Sequence, residues 1–308
     1  MVGSALVRTL QKFEDCQVVT AERDELNITN DGEVCDFIKT KNVQQVYLAA
    51  AKVGGIKANN DYPASFIQEN LQIQNGVIHG AYRAGVDRLL FLGSSCIYPR
   101  NSTQPMAEEV LLTGILEPTN EPYALAKIAG IKMCESYNRQ YGTDFRAVMP
   151  TNLYGPGDNF HAEHSHVVPA LMARIHDAKL SQKDEVVIWG SGNAMREFLH
   201  VDDMASACHF VMNLAKEQLD GQIDERRLHL NVGTGKDVTI RELAETLCGV
   251  IGYQGQLTFD TTKPDGTPRK LLQTDRLARL GWEYAIELQQ GLLQTYEWFQ
   301  SSQGKIRR

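Results

Sequence analysis

The chain has 308 residues, with 31 Lys+Arg against 38 Asp+Glu and a net charge of −7. About two domains' worth of length and 43% hydrophobic residues provide for a buried core and exclude a disordered chain. The acidic balance leaves no footprint for nucleic acid or an anionic membrane, and no apolar run approaches the ~20 residues of a bilayer span.

The first residues, MVGSALVRTLQKF, already carry a helical pattern over Gly3–Gln11. Arg8 and Lys12 interrupt it, so it holds no secretory h-region. Gln17–Thr20 reads as a strand and Asp31–Lys41 as a helix. Gln45–Ala49 is a strand, and Pro63–Ala84 a long helix entered through Asp61 as N-cap. Arg88–Gly93 is a strand whose unbroken apolar run suits burial on both faces. Glu121–Tyr141 is a helix and Phe145–Pro150 a strand. This alternation predicts a parallel, doubly wound α/β sheet.

Beyond residue 150 the rhythm loosens. Residues 151–165 form a polar loop, of a length that is more often functional than idle. A helix at His166–Lys179, a strand at Glu185–Trp189, a helix at Asp202–Leu219, a strand at Leu228–Val232, a helix at Arg241–Ile251 and one at 286–300 follow. The expected division is 1–165 for a dinucleotide-binding unit and 166–308 for a smaller, mainly substrate-binding α/β unit. Later segments return to the first. The cysteines (16, 35, 96, 134, 208 and 248) form no Cys-x-x-Cys, which predicts reduced thiols in a cytoplasmic protein. His161 and His164 lack carboxylates at ligand spacing, so no metal is expected.

Several positions carry chemistry. Gly3 opens a helix, and Glu22-Arg23 follow about 20 residues later. In a dinucleotide-binding unit an acid at that distance holds the ribose 2′-hydroxyl of NAD, and an arginine accommodates the 2′-phosphate of NADP. The pair alone leaves the two open. The strand 88–93 runs into Ser94-Ser95-Cys96, placing hydroxyls and a thiol beyond a carboxyl end, where α/β sheets bind ligands. Tyr123 and Lys127, at i and i+4, share one helix face. The ammonium is expected to lower the phenol pKa toward neutrality.

With these residues in this order, the chain resembles the extended short-chain dehydrogenase/reductases that modify nucleotide sugars. The blocks GSSCIYP, EPTNEPYALAKIAG, PTNLYGPGDNF, SHVVPAL, VIWGSG, MREFLHVDD, NVGTG and KPDGTPRKLL extend the resemblance along the whole chain. They are similar to the branch that turns GDP-4-dehydro-6-deoxy-D-mannose into GDP-L-fucose with NADP(H). Other nucleotide-sugar epimerases and a non-catalytic binding form are the alternatives.

The resemblance implies roles. Ser94 and Tyr123 would hydrogen-bond the C4 oxygen, and Lys127 would hold the nicotinamide ribose. Cys96 would be the base and His166 the acid of C3 and C5 epimerisation. Cofactor contacts would come from Gly3, Arg23, Ala49, Ala50, Leu92, Gly93, Ser94, Ser95, Lys127, Pro150, Thr151, Asn152, Leu153 and His166. With Arg23 among them, the choice falls on NADP. Arg174, Trp189, Arg196, Arg269 and Lys270 would bind substrate. A homodimer through helices 63–84 and 121–141 is implied too. One departure stands out. The family pattern opens with a strand and G-x-x-G-x-x-G, of which only the third glycine, Gly3, is present. The expectation is therefore a sheet without its first strand, Met1 being an internal methionine of a longer working protein. The alternative is a shortened, inactive form.

Overall fold

Parallel strands need crossovers, and each crossover here is a helix whose apolar stripe lies back on the sheet. In the computed structural model, which describes residues 1–161, 165–224, 226–263 and 265–302, these units stack in chain order. Helices α1 (Val2–Leu10) and α2 (Asp31–Lys41) precede β1 (Gln45–Leu48). A short α3 (Ile56–Asp61) and the long α4 (Pro63–Ala84) lead to β2 (Arg88–Leu92), and α5 (Glu121–Tyr141) leads to β3 (Asp144–Pro150). Asn30 caps α2 by accepting from the Gly32 and Glu33 amides at 3.0 and 3.3 Å.

The chain then leaves the first sheet. It forms β4 (Asn152–Tyr154), α6 (Val167–Leu180), β5 (Glu185–Trp189) and β6 (Met195–His200). Helices α7 (Val201–Asn213) and α8 (Lys216–Asp220) and strand β7 (His229–Val232) return it to the first unit. Next come β8 (Asp237–Thr239), α9 (Ile240–Ile251), β9 (Gln256–Asp260), β10 (Arg269–Lys270), α10 (Asp275–Arg279) and α11 (Leu288–Ser301).

The first sheet has the order β1-β2-β3-β7, every pair parallel. One apolar layer packs α2, α4 and α5 on it through Val34, Ile78, Phe91, Ile131 and Phe145. The other packs α1 and α7 through Leu6, Leu90, Val148, Met204 and Val211. The doubly wound arrangement is thus present. A second sheet runs β10-β6-β4 with β8 antiparallel on β6, and β5 pairs with β9 beside it. Helices α6, α9 and α11 enclose a third apolar cluster around Leu171, Leu247 and Phe299. Thr151 is the crossing point, between the last residue of β3 and the first of β4.

Four expectations change. The polar loop expected over residues 151–165 begins as strand β4, because the edge of β6 offers Asn152–Tyr154 a parallel partner. Gln17–Thr20 forms no ladder. That segment and β1 line the same cavity of about 780 Å³, walled also by Leu6 and Ile38. An extended segment becomes a strand only beside a partner edge. Asp61 is not the cap of α4: it ends α3, where Lys57 pairs with it at 2.7 Å. The helix expected over 202–219 breaks at Leu214-Ala215, where the Gln218 side chain accepts from the Ala215 amide and starts a new turn.

Candidate active site

The carboxyl ends of β1, β2 and β3 all open toward one side of the first sheet. Leu92 ends β2, and Ser95–Ile97 form one 3₁₀ turn directly after it. The turn buries Ser95 and Cys96 and leaves Ser94 partly open. Helix α5 crosses this end with Tyr123 and Lys127 on one face. The Lys127 Nζ donates to the Leu92 carbonyl at 2.9 Å and lies 4.9 Å from the Phe91 ring centroid and 5.7 Å from that of Tyr123.

Burial decides the protonation of this group. Desolvation lowers the Lys127 pKa to about 8, against a smaller raising effect from Cys96. Desolvation also raises the Tyr123 phenol strongly, and the adjacent Cys96 adds to this, while the Ser94 hydroxyl bond opposes it. The expected lowering of the phenol by Lys127 does not occur: the ammonium is turned to Leu92, and burial dominates. Tyr123 is therefore a neutral donor. The Cys96 thiol is also raised by burial, opposed by a bond from Ser94 and by the charges of Lys270 and Lys127. His166 sits at the N-cap of α6 without a side-chain capping bond; it keeps an exposed face, and partial desolvation by the surrounding protein lowers its imidazole.

The cofactor-side candidates fall into two groups. Leu92 to Ser95, Pro150 to Leu153 and Lys127 cluster at the ends of β2 and β3. The Thr151 amide donates to Val232 at 3.0 Å, and the Asn152 side-chain amide donates to the Glu197 carbonyl at 2.8 Å. Ala49 and Ala50 follow β1, and Gly3 on α1 faces Ala49, where an added Cβ would stand 4.0 Å from the alanine methyl. Arg23 lies exposed in the turn after residues 17–20.

The substrate-side candidates also divide. On α6, Arg174 donates to the Val187 carbonyl at 2.9 Å, and its guanidinium lies 6.0 Å from the ring of the exposed Trp189. Lys263 flanks the same ring at 5.8 Å. Arg196 and Lys270 are register partners of β6 and β10. Burial lowers both, and the charge of Cys96 pulls Lys270 back up. Arg269 is held elsewhere: its guanidinium donates to both carboxylate oxygens of Asp237, at 2.5 and 3.1 Å. His164 lies outside the described residues.

Glu197, a residue with no assigned role in the sequence reading, proves central to this region. It is fully buried and accepts from the Gly235 amide at 2.8 Å and the Leu272 amide at 2.9 Å. Its signal was an acid alternating with Arg196 inside a strand. Lys263 gave no signal, because it reaches Trp189 only through the turn after β9.

Comparison with known proteins agrees with this architecture. Residues 1–233 match the NAD dependent epimerase/dehydratase family. The GDP-L-fucose synthase of Escherichia coli (strain K12) is 58% identical over 307 residues, covering 100% of this chain and 96% of that protein. A putative GDP-L-fucose synthase 2 of Arabidopsis thaliana is 57% identical, covering 97% and 88%. Among solved structures, a GDP-mannoheptose C4 reductase from Campylobacter jejuni with NADP bound superposes with a TM-score of 0.86 at 38% identity, covering 97% and 95%. The chain belongs to the NAD dependent epimerase/dehydratase family, among its GDP-L-fucose synthases.

Proposed function

We propose that the chain converts GDP-4-dehydro-6-deoxy-D-mannose to GDP-L-fucose by epimerisation at C3 and C5 and NADPH-dependent reduction at C4. The observation that carries this reading is the joining of Ser94, Cys96, Tyr123 and Lys127 at the end of β2. The names of the relatives support the substrate, and the NADP in the Campylobacter structure supports the cofactor.

The residues present fit a nicotinamide dinucleotide. Small side chains at Ala49 and Ala50 leave room beside the sheet, the first amides of α1 suit a phosphate, and Lys127, at the end of β2, would hold the nicotinamide ribose. Bound NADPH supplies hydride to C4. Ser94 and Tyr123 hydrogen-bond the C4 oxygen, where negative charge develops in both enolisation and reduction. A neutral Tyr123 then gives that oxygen its proton, and Lys127 supplies the nearby positive charge.

Epimerisation needs a proton removed from one face of the sugar and another added to the opposite face. Cys96 takes the first and His166 gives the second. Burial opposes the thiolate of Cys96 while Lys270 and Lys127 favour it, and partial desolvation opposes the imidazolium of the otherwise exposed His166. Arg174 and Trp189 hold one end of the substrate, and Arg196 with Lys270 the other. Arg269 orders β10 through Asp237. The reading includes a homodimer through α4 and α5, whose Tyr82, Tyr137 and Tyr141 rings form an aromatic cluster. It also includes a cytoplasmic location: the six cysteines are free thiols.

The test is to mix the chain with GDP-4-dehydro-6-deoxy-D-mannose and NADPH. Loss of NADPH absorbance with GDP-L-fucose as product is expected. Turnover of a different sugar nucleotide, with NADPH unchanged, rejects the reading.

A further inference from the structure

Strand β10 is only two residues long, Arg269 pairing with Met195 and Lys270 with Arg196. So short a ladder fixes a side chain poorly by itself. Beyond Lys270 the backbone stays near β6 through a side chain instead: the Glu197 carboxylate takes the Leu272 amide at 2.9 Å. On the other flank of β6, the same carboxylate takes the Gly235 amide at 2.8 Å, which anchors the turn leading into β8. Strand β8 in turn carries Asp237, the partner of Arg269. One fully buried acid thus pins the segments next to β10 and β8, two of the three partners of the strand that carries Arg196.

The surroundings are built around that carboxylate. A Cβ at Gly233 would stand 2.2 Å from its Oε1, so only glycine leaves it room. Among the described residues Glu197 has no salt-bridge partner; burial pushes its carboxyl up, and backbone amides supply most of the opposing stabilisation of the carboxylate. The far side of the 271–273 segment is tied to residues 104–106. Leu271 donates to the Gln104 side chain at 2.8 Å, Met106 donates to the Leu271 carbonyl at 2.8 Å and Gln273 donates to the Met106 carbonyl at 2.9 Å. Lys270 is therefore clamped between this bracket and β6.

We infer that Glu197 is a positioning residue for substrate binding: its carboxylate fixes the segment after β10 so that Lys270 and Arg196 present one paired cationic site for the substrate diphosphate beside Cys96. The inference rests on the reading above that Lys270 and Arg196 bind substrate. The link to the cofactor side is different in kind. Asn152 and Thr151 reach the main-chain carbonyl of Glu197, at 2.8 and 3.2 Å, which a side-chain substitution leaves in place; among the described residues the Thr151 hydroxyl is the one cofactor-side group that also touches the carboxylate.

The test uses E197Q, K270M and their combination in the full chain, with GDP and NADPH as separate binding probes. Glutamine keeps the shape but turns an NH₂ toward an amide donor, leaving one backbone N–H unpaired. The expected result is a GDP Kd about ten-fold higher in E197Q, an NADPH Kd raised by far less because only the Thr151 hydroxyl links the carboxylate to the cofactor side, and a double variant little worse than K270M alone. Alkylation of Cys96 by iodoacetamide, followed by peptide mass, should slow in E197Q and K270M alike. E197D keeps the charge one methylene short and should show the same split to a smaller degree, which holds the test open if E197Q does not fold. An unchanged GDP Kd in E197Q beside a raised one in K270M overturns the inference, as does an equal loss of NADPH affinity. An unchanged GDP Kd in K270M overturns the substrate-site reading beneath it.

Discussion

Lys127→Met should make the protein more stable near neutrality while removing its reductive chemistry. The ammonium is buried with a single hydrogen bond, to the Leu92 carbonyl, and its pKa falls from 10.5 to about 8. At 1.36 kcal/mol per unit, keeping it charged costs about 3 kcal/mol of folding stability below pH 8. Methionine removes that cost and forfeits the Leu92 bond, a loss of about 1–3 kcal/mol. The variant should therefore gain about 0 to 2 kcal/mol at pH 7.

The pH dependence is the sharper part. Between pH 8 and 10.5 the unfolded chain holds a proton that the folded chain has released, so wild-type stability climbs through this window. Other titrating groups cancel in the comparison. The difference between the two proteins should swing toward wild type by about 3 kcal/mol from pH 7 to beyond pH 10.5, in urea unfolding at each pH. A difference that stays flat across the window refutes the argument that desolvation sets the state of Lys127.

Two further outcomes follow from the same geometry. Tyr123→Phe should slow reduction by about 10²–10⁴ and the entry of solvent deuterium at C3 and C5 by much less, because Ser94 still holds the C4 oxygen during enolisation while only reduction loses its proton donor; Cys96→Ser should abolish the exchange, and equal loss of both in Tyr123→Phe would refute Tyr123 as the proton donor. Gly130→Ala should lower stability by about 1–3 kcal/mol, because the new Cβ would stand 2.3 Å from the Phe91 ring on which α5 is docked. An alanine in an unhindered helix gains up to about 1 kcal/mol, so a raised urea midpoint would show that α5 does not seat as described.

The sequence alone went far wherever the signal was local. The spans of α2, α4, α5 and β5 follow from hydrophobic period, capping and glycine stops, and the structure reproduces them. The order Ser94, Cys96, Tyr123, Lys127 was legible because each lies at the end of a strand or on one turn of a helix. What depended on a partner was not legible. Gln17–Thr20 has strand composition, yet a ladder requires a neighbour, and the segment instead lines a cavity shared with β1. The direction of the Tyr123 shift could not be read from its spacing to Lys127, since burial outweighs a charge directed elsewhere.

Residue identities thus determined the alternating architecture, the family and the residue types of the proposed catalytic group. Only the tertiary structure decided which charges remain available: it gives Arg269 to Asp237, leaves Lys270 beside Arg196, and places Glu197 between two backbone segments 37 residues apart in the chain. The reason is physical. A hydrogen-bond partner or a desolvating wall is supplied by whichever distant segment packs there, and no local pattern encodes that choice.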